Sequence, residues 1–200
     1  MEKPSYKYIL LNKPFGVLPQ FTDKLGRPTL KDLIPFSARS GSAFGGKNIY
    51  PVGRLDLDSE GLILLTDDTK LNYYLSSPKN KQAKTYWAQV EGIPDENSLA
   101  PLREGIIIEG KKTLPAKVKS IAAPQDLWPR LKPVRFRKNI PTAWLEITLH
   151  EGRNRQVRKM TAAAGFPCLR LIRISIGSLE IGNLKPGQFR EIEKPVVYKM

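Results

Sequence analysis

Apolar and polar positions change rhythm several times along the 200 residues of the chain. Residues 6–12 (YKYILLN) form a β-rich run, closed by the turn-formers Lys13-Pro14-Phe15-Gly16. A short amphipathic stretch over 30–34 ends at Pro35. Residues 37–47 hold three Ser, three Gly and no aliphatic residue larger than Ala. That composition predicts a flexible loop and a candidate hinge between a small N-terminal lobe and the rest. Leu62 to Leu65 are continuously apolar, which predicts a buried strand over 60–66. Leu71, Tyr74 and Leu75 then fall at helical spacing over 67–77, with Asp67 or Asp68 as N-cap and Pro78 beyond the end.

The second half alternates more often. Over 84–90, Thr85, Trp87 and Gln89 alternate with Tyr86, Ala88 and Val90, the period of a strand. A short helix over 95–104 stops at Gly105. Residues 106–108 and 116–121 read as strands around a turn at Glu109-Gly110. The stretch 124–141 has four prolines and five cations and reads as an irregular arm. A strand over 144–149, a helix over 154–164 ended by Gly165 and Pro167, and strands over 169–176 and 189–192 complete the chain. Many strands with scattered helices make an α+β protein, with helices on the faces of a mixed or antiparallel sheet.

Composition narrows the function. With 40% hydrophobic and 26% charged residues, the chain can bury a sizeable core. Lys and Arg number 33 against 19 Asp and Glu, a net charge of +14. The excess is local: residues 111–138 hold nine basic and one acidic residue, and 150–173 hold six basic and one acidic. These two segments therefore carry +8 and +5, which suits a polyanionic partner. One Cys and one His exclude a disulfide framework, a Cys-rich zinc site and a His-rich metal centre, leaving only a carboxylate magnesium site open. No apolar run approaches the ~20 residues that span a bilayer. Residues 1–12 lack a secretory h-region, so the expected location is the cytoplasm, with no membrane partner. Charge alone does not separate an RNA enzyme from a ribosomal or chaperone-like protein.

An acidic island interrupts this basic chain. Residues 51–68 contain five acidic residues and one basic, net −4. Asp56, Asp58 and Glu60 alternate as calcium-loop ligands do, but the twelve-residue spacing is missing and Glu60 stands where the turn glycine belongs. No metal is expected there. Asp58 and Ser59 read as a turn that caps the following strand.

Gly53-Arg54-Leu55-Asp56, followed by Asp58-Ser59-Glu60-Gly61-Leu62, resembles the catalytic signature of pseudouridine synthases, in the branch that modifies ribosomal RNA. Three more segments are similar to that branch, in order. Tyr8-Ile9-Leu10-Leu11-Asn12-Lys13-Pro14-Phe15-Gly16 resembles its opening strand, and Lys84-Thr85-Tyr86 its tyrosine strand. Glu151-Gly152-Arg153-Asn154-Arg155-Gln156-Val157-Arg158-Lys159-Met160 resembles its late helix, with residues 169–177 as the last motif. The resemblance implies a mostly antiparallel, bisected sheet with flanking helices and a central RNA-binding cleft. It also implies one catalytic domain over residues 1–200, with room for two sub-lobes. Tyr8 already begins the match, so no separate N-terminal RNA-binding domain is expected.

The implied chemistry is consistent with the residues. Isomerising uridine breaks the C1′–N1 bond, turns the base and joins C1′ to C5. No redox partner or group donor is needed, and no nucleotide-binding glycine fingerprint is present, so no cofactor is expected. Asp56 is the implied catalytic aspartate, whether it attacks C1′ or assists a glycal route. A hydrolytic glycosidase would instead use a matched carboxylate pair. A lone desolvated Asp loses its charge unless paired, and Arg158 matches the family's partner arginine. It lies off the edge of the Val157, Met160 and Ala164 stripe. Arg155 and Lys159 lie nearly opposite that stripe and read as phosphate contacts, as does Arg153 near the helix start.

Tyr86 matches the tyrosine that stacks on uracil, although a strand tyrosine taken alone more often packs in a core. Leu171 supplies an apolar wall to the base pocket, and Arg54 enters the groove when the nucleotide flips. The arm interleaves cations with Trp128 and Phe136, suited to stacking and phosphate attraction. Cys168 reads as a small buried hydrophobe and His150 has no catalytic role. The expected partner is ribosomal RNA of the large subunit (23S), with the protein a monomer. Two other readings keep the RNA: a non-catalytic ribosome-assembly protein, and a synthase acting on tRNA.

Overall fold

The computed structural model describes residues 6–37, 42–43, 48–135 and 137–195. They divide into two compact units, one from the residues up to 80 together with those from 177 on, the other from residues 81–176. The division does not fall in 37–47. There β2 (Phe36–Ser37) and β3 (Ser42–Ala43) pair antiparallel, and the rest of that segment lies outside the described residues. Long-range strand pairing sets the boundary, which loop composition does not report.

The first unit is built on β1 (Tyr8–Lys13), which pairs antiparallel with β5 (Glu60–Thr66) on one side and β13 (Phe189–Ile192) on the other. β4 (Tyr50–Pro51) adds to β5, and β12 (Leu179–Glu180) precedes β13. Every residue of β1 and β5 is buried, as their unbroken apolar runs require of strands covered on both faces. Helix α1 (Thr69–Ser76) begins at Asp68, whose carboxylate accepts from the Leu71 amide at 2.9 Å and the Tyr8 hydroxyl at 2.9 Å. Asp67 accepts from the Lys7 amide at 2.7 Å. Both of these acids of the island are therefore structural.

The second unit is an antiparallel sheet in the order β11 (Cys168–Ile176), β6 (Lys84–Glu91), β10 (Thr142–Leu149), β9 (Lys117–Ile121). Helices α2 (Glu96–Glu104) and α3 (Gln156–Ala163) contribute Leu99, Leu102, Val157 and Met160 to a core with Ala88, Leu145 and Leu171. Asp95 caps α2 through the Ser98 amide at 2.8 Å. Gly105 ends it at φ +96°, where a Cβ would collide with the Thr113 carbonyl oxygen. With these units the protein is α+β and mostly antiparallel; Leu18 and Thr29 form one parallel bridge.

Two sequence expectations change here. The Glu109-Gly110 turn joins β7 (Ile107–Ile108) to β8 (Lys111–Lys112), whereas residues 117–121 pair with β10. Both turn residues have positive φ, so the reversal is tight and pairs only its immediate flanks. Helix α3 starts at Gln156 rather than 154, because Arg155 sits in the left-handed region at φ +51°. The Gln156 side chain accepts from the Arg153 amide at 3.0 Å and donates to Glu151 at 2.6 Å, closing the turn. No helix among the described residues is long and apolar enough to cross a membrane.

Candidate active site

In the first unit, the candidate carboxylate lies on the loop between β4 and β5. Buried Val52 and Leu55 anchor that loop, and the Val52 amide donates to the Leu64 carbonyl at 2.8 Å. Gly53 takes φ +66°, a left-handed turn with open space at its Cβ position, so its backbone angle is what favours glycine. The Gly16 amide donates to the Leu57 carbonyl at 2.9 Å, and the Ser59 amide to the Asp56 carbonyl at 3.1 Å. Asp56 is half-buried between these clamps, and Arg54 is exposed. Such a loop holds a carboxylate in a set position while presenting a long cation to solvent.

In the second unit, β6 and β11 place Tyr86 opposite Arg173 and Ala88 opposite Leu171. Tyr86 is half-buried against the core that includes Leu171, itself 5% exposed. Arg173 is 2% exposed and lies beside the Tyr86 side chain on the paired strand. Burial pulls the Arg173 pKa below the ordinary guanidinium value, and the Tyr86 contact opposes that shift. At the foot of the same strand, burial and then repulsion from Arg173 lower the Lys84 pKa. Arg158 donates to the Cys168 carbonyl at 3.1 Å, tying α3 to the start of β11.

The structure thus groups Tyr86, Leu171 and Arg158 in one unit and Arg54 with Asp56 in the other. Arg173, buried opposite Tyr86, is a residue that the sequence pattern had not singled out. Its signal was present: Leu171 and Arg173 stand two apart on a strand, so a core-facing leucine implies a core-facing arginine.

The remaining predicted cations differ in their surroundings. Arg153 is turned inward, donating to the Lys111 and Lys112 carbonyls at 3.2 and 2.6 Å and to Glu151 at 3.1 Å. Lys159 pairs with Glu109 at 2.7 Å and reaches Asn154 at 3.2 Å. Arg155 is exposed. Beyond β9, the irregular arm is fastened by Arg170, which donates to the Trp128 carbonyl at 3.0 Å and lies 5.9 Å from the centre of its ring. Arg137 pairs with Glu91 at 3.3 Å. A cavity of about 410 Å³ opens beside the arm, with Arg135, Lys138 and Asn139 facing Gln89 and Thr142. Phe136 lies outside the described residues. No group of three or more His, Cys, Asp or Glu among the described residues is placed to hold a metal.

Residues 7–163 match the model of a protein family described as RNA pseudouridylate synthase. The chain is 54% identical over 187 residues to "Ribosomal large subunit pseudouridine synthase E" of Vibrio parahaemolyticus, covering 94% of this chain and 74% of that protein. It is 49% identical over 182 residues to the protein of the same name from Xanthomonas campestris, covering 91% and 93%. Among solved structures, one described as a pseudouridylate synthase aligns with a TM-score of 0.73 at 31% identity, covering 94% of this chain and 71% of that one.

Proposed function

The chain belongs to the RNA pseudouridylate synthase family, and from that premise we propose that it converts a uridine of large-subunit (23S) ribosomal RNA into pseudouridine. The observation that carries this substrate is the identity, about half of all positions over nearly the whole chain, to relatives named for the large ribosomal subunit. It works as a monomer in the cytoplasm, where ribosomal RNA is made and folded.

Asp56 is the catalytic carboxylate. Its loop supports this role, because backbone bonds from Ser59 and Gly16 to the Asp56 and Leu57 carbonyls fix the chain at a half-buried acid. The reaction balances within the nucleotide and water. The C1′–N1 bond breaks, the uracil turns, C1′ bonds to C5, the C5 proton leaves and N1 takes up a proton. Arg158 supplies the cation that keeps Asp56 charged in a desolvated site. Tyr86 stacks on the uracil and Leu171 forms the apolar wall beside it. Arg54 fills the space the uridine vacates, offsetting the few kcal/mol of unstacking.

Arg155 and the exposed cations of the arm draw the phosphates. Arg153 and Lys159 act on the RNA indirectly. Their bonds to the Lys111 and Lys112 carbonyls and to Glu109 set the turn that carries two exposed lysines.

The test is tritium release from RNA labelled at uridine C5. Large-subunit RNA should release tritium to a fixed stoichiometry while tRNA and small-subunit RNA stay silent. Release from tRNA alone would reassign the substrate, and no release from any RNA would leave an RNA-binding protein without the activity.

A further inference from the structure

Arg173 takes no part in the roles assigned so far, yet it is an arginine 2% exposed inside an apolar strand, between Ile172 and Ile174 in a chain segment that also buries Leu171. A buried cation is expensive unless its charge or its donors are used. Its neighbour across the strand pair is Tyr86, whose side chain stands on the same face within reach of a hydrogen bond from the guanidinium. A guanidinium has only donors, so in this bond the phenol oxygen accepts. The single phenol proton is then directed away from Arg173, and the ring is held from its polar end as well as by the core beneath it.

We propose that Arg173 is a positioning residue that fixes the Tyr86 ring and turns its hydroxyl proton toward the substrate base. A phenol whose oxygen already accepts from a cation is also the stronger donor, because hydrogen bonds polarise one another in a low-dielectric site. Arg173 therefore makes Tyr86 a preset donor as well as a stacking surface. The inference rests on the reading of Tyr86 as part of the base pocket. It adds to that reading a reason for the buried charge.

A double-mutant cycle tests it, using single-turnover tritium release with enzyme in excess and RNA affinity measured by filter binding. Tyr86→Phe and Arg173→Met should each slow the reaction roughly ten- to a hundredfold, the loss of a charge-assisted hydrogen bond, with RNA affinity unchanged. The double variant should be no slower than Tyr86→Phe alone. Arg173→Lys keeps a donor and should recover part of the rate, but only where Tyr86 is present. If Arg173→Met slows the Tyr86→Phe enzyme by the same factor as the wild type, or slows neither, the inference fails while the base pocket stands. If Tyr86→Phe runs at the wild-type rate, the hydroxyl is idle and the inference fails while the stacking role stands; Tyr86→Ala at the wild-type rate would end the base-pocket reading itself. Should Arg173→Met not fold by circular dichroism, the same cycle with Arg173→Lys decides. Coupling to Tyr86 then supports the role and independence overturns it.

Discussion

Residues 111–138 and 150–173 look alike as strings of charge, at +8 and +5, but the fold treats them in opposite ways. In the first segment eight of the nine basic residues are exposed, all but Arg130. In the second only Arg155 of the six is exposed. Arg153, Arg158 and Arg170 donate to backbone carbonyls, Lys159 pairs with Glu109, and Arg173 is buried against Tyr86. The first segment is therefore an exposed basic surface, and on the proposed function it attracts phosphates through counterion release. The second is a framework in which cations hold elements together. Net charge predicts a polyanion from either segment; only burial and bonding show which one leaves its cations open to solvent.

The comparison breaks most readily at Arg158. Arg158→Gln should lower single-turnover isomerisation about a hundredfold or more, as loss of a preorganised charge does. RNA affinity and its salt dependence should barely move. If affinity falls instead, α3 belongs with the arm. Next in size is the arm itself. Replacing Lys132, Arg135 and Lys138 together with Gln should flatten the slope of log affinity against log salt by about 2 to 3. The rate at saturating RNA should not change. An unchanged slope in filter binding would remove the arm from the interface.

Smaller effects sharpen the contrast. Arg153→Gln loses the bonds to the Lys111 and Lys112 carbonyls and should cost about 1–2 kcal/mol, roughly 2–8 °C in melting temperature. Filter binding should change little. A large loss of affinity with no loss of stability would make Arg153 a phosphate contact after all. Lys159→Gln breaks a pair whose Glu109 side chain is 72% exposed, so stability should shift by less than about 0.5 kcal/mol in chemical denaturation.

Elements with one dominant local cause were legible in the sequence. The run Leu62 to Leu65 marks β5 to the residue, and Asp95 and Gly105 bracket α2. Asp67 and Asp68 were ambiguous until the Leu71 amide and the Tyr8 hydroxyl showed which one caps α1. β8 was not legible, since two exposed lysines carry no alternation and owe their strand to a turn pairing them with β7. The candidate site divides in the same way. The Gly53-to-Gly61 loop and Tyr86 stand in quotable motifs. The facing of each cation on β11 depends on register shifts between Cys168 and Arg170 and between Arg173 and Ser175. Each such shift reverses the alternation, so the two-residue rule that carries Arg173 from Leu171 holds only between the shifts, over 170–173.

The role of Asp56 is tested most directly by single-turnover tritium release from C5-labelled large-subunit RNA with the Asp56→Asn enzyme. RNA affinity should equal that of the wild type, because the acid lies on a loop held by backbone bonds that Asn leaves in place. Release should vanish. Release at the wild-type rate would contradict the assignment of Asp56 as the catalytic carboxylate.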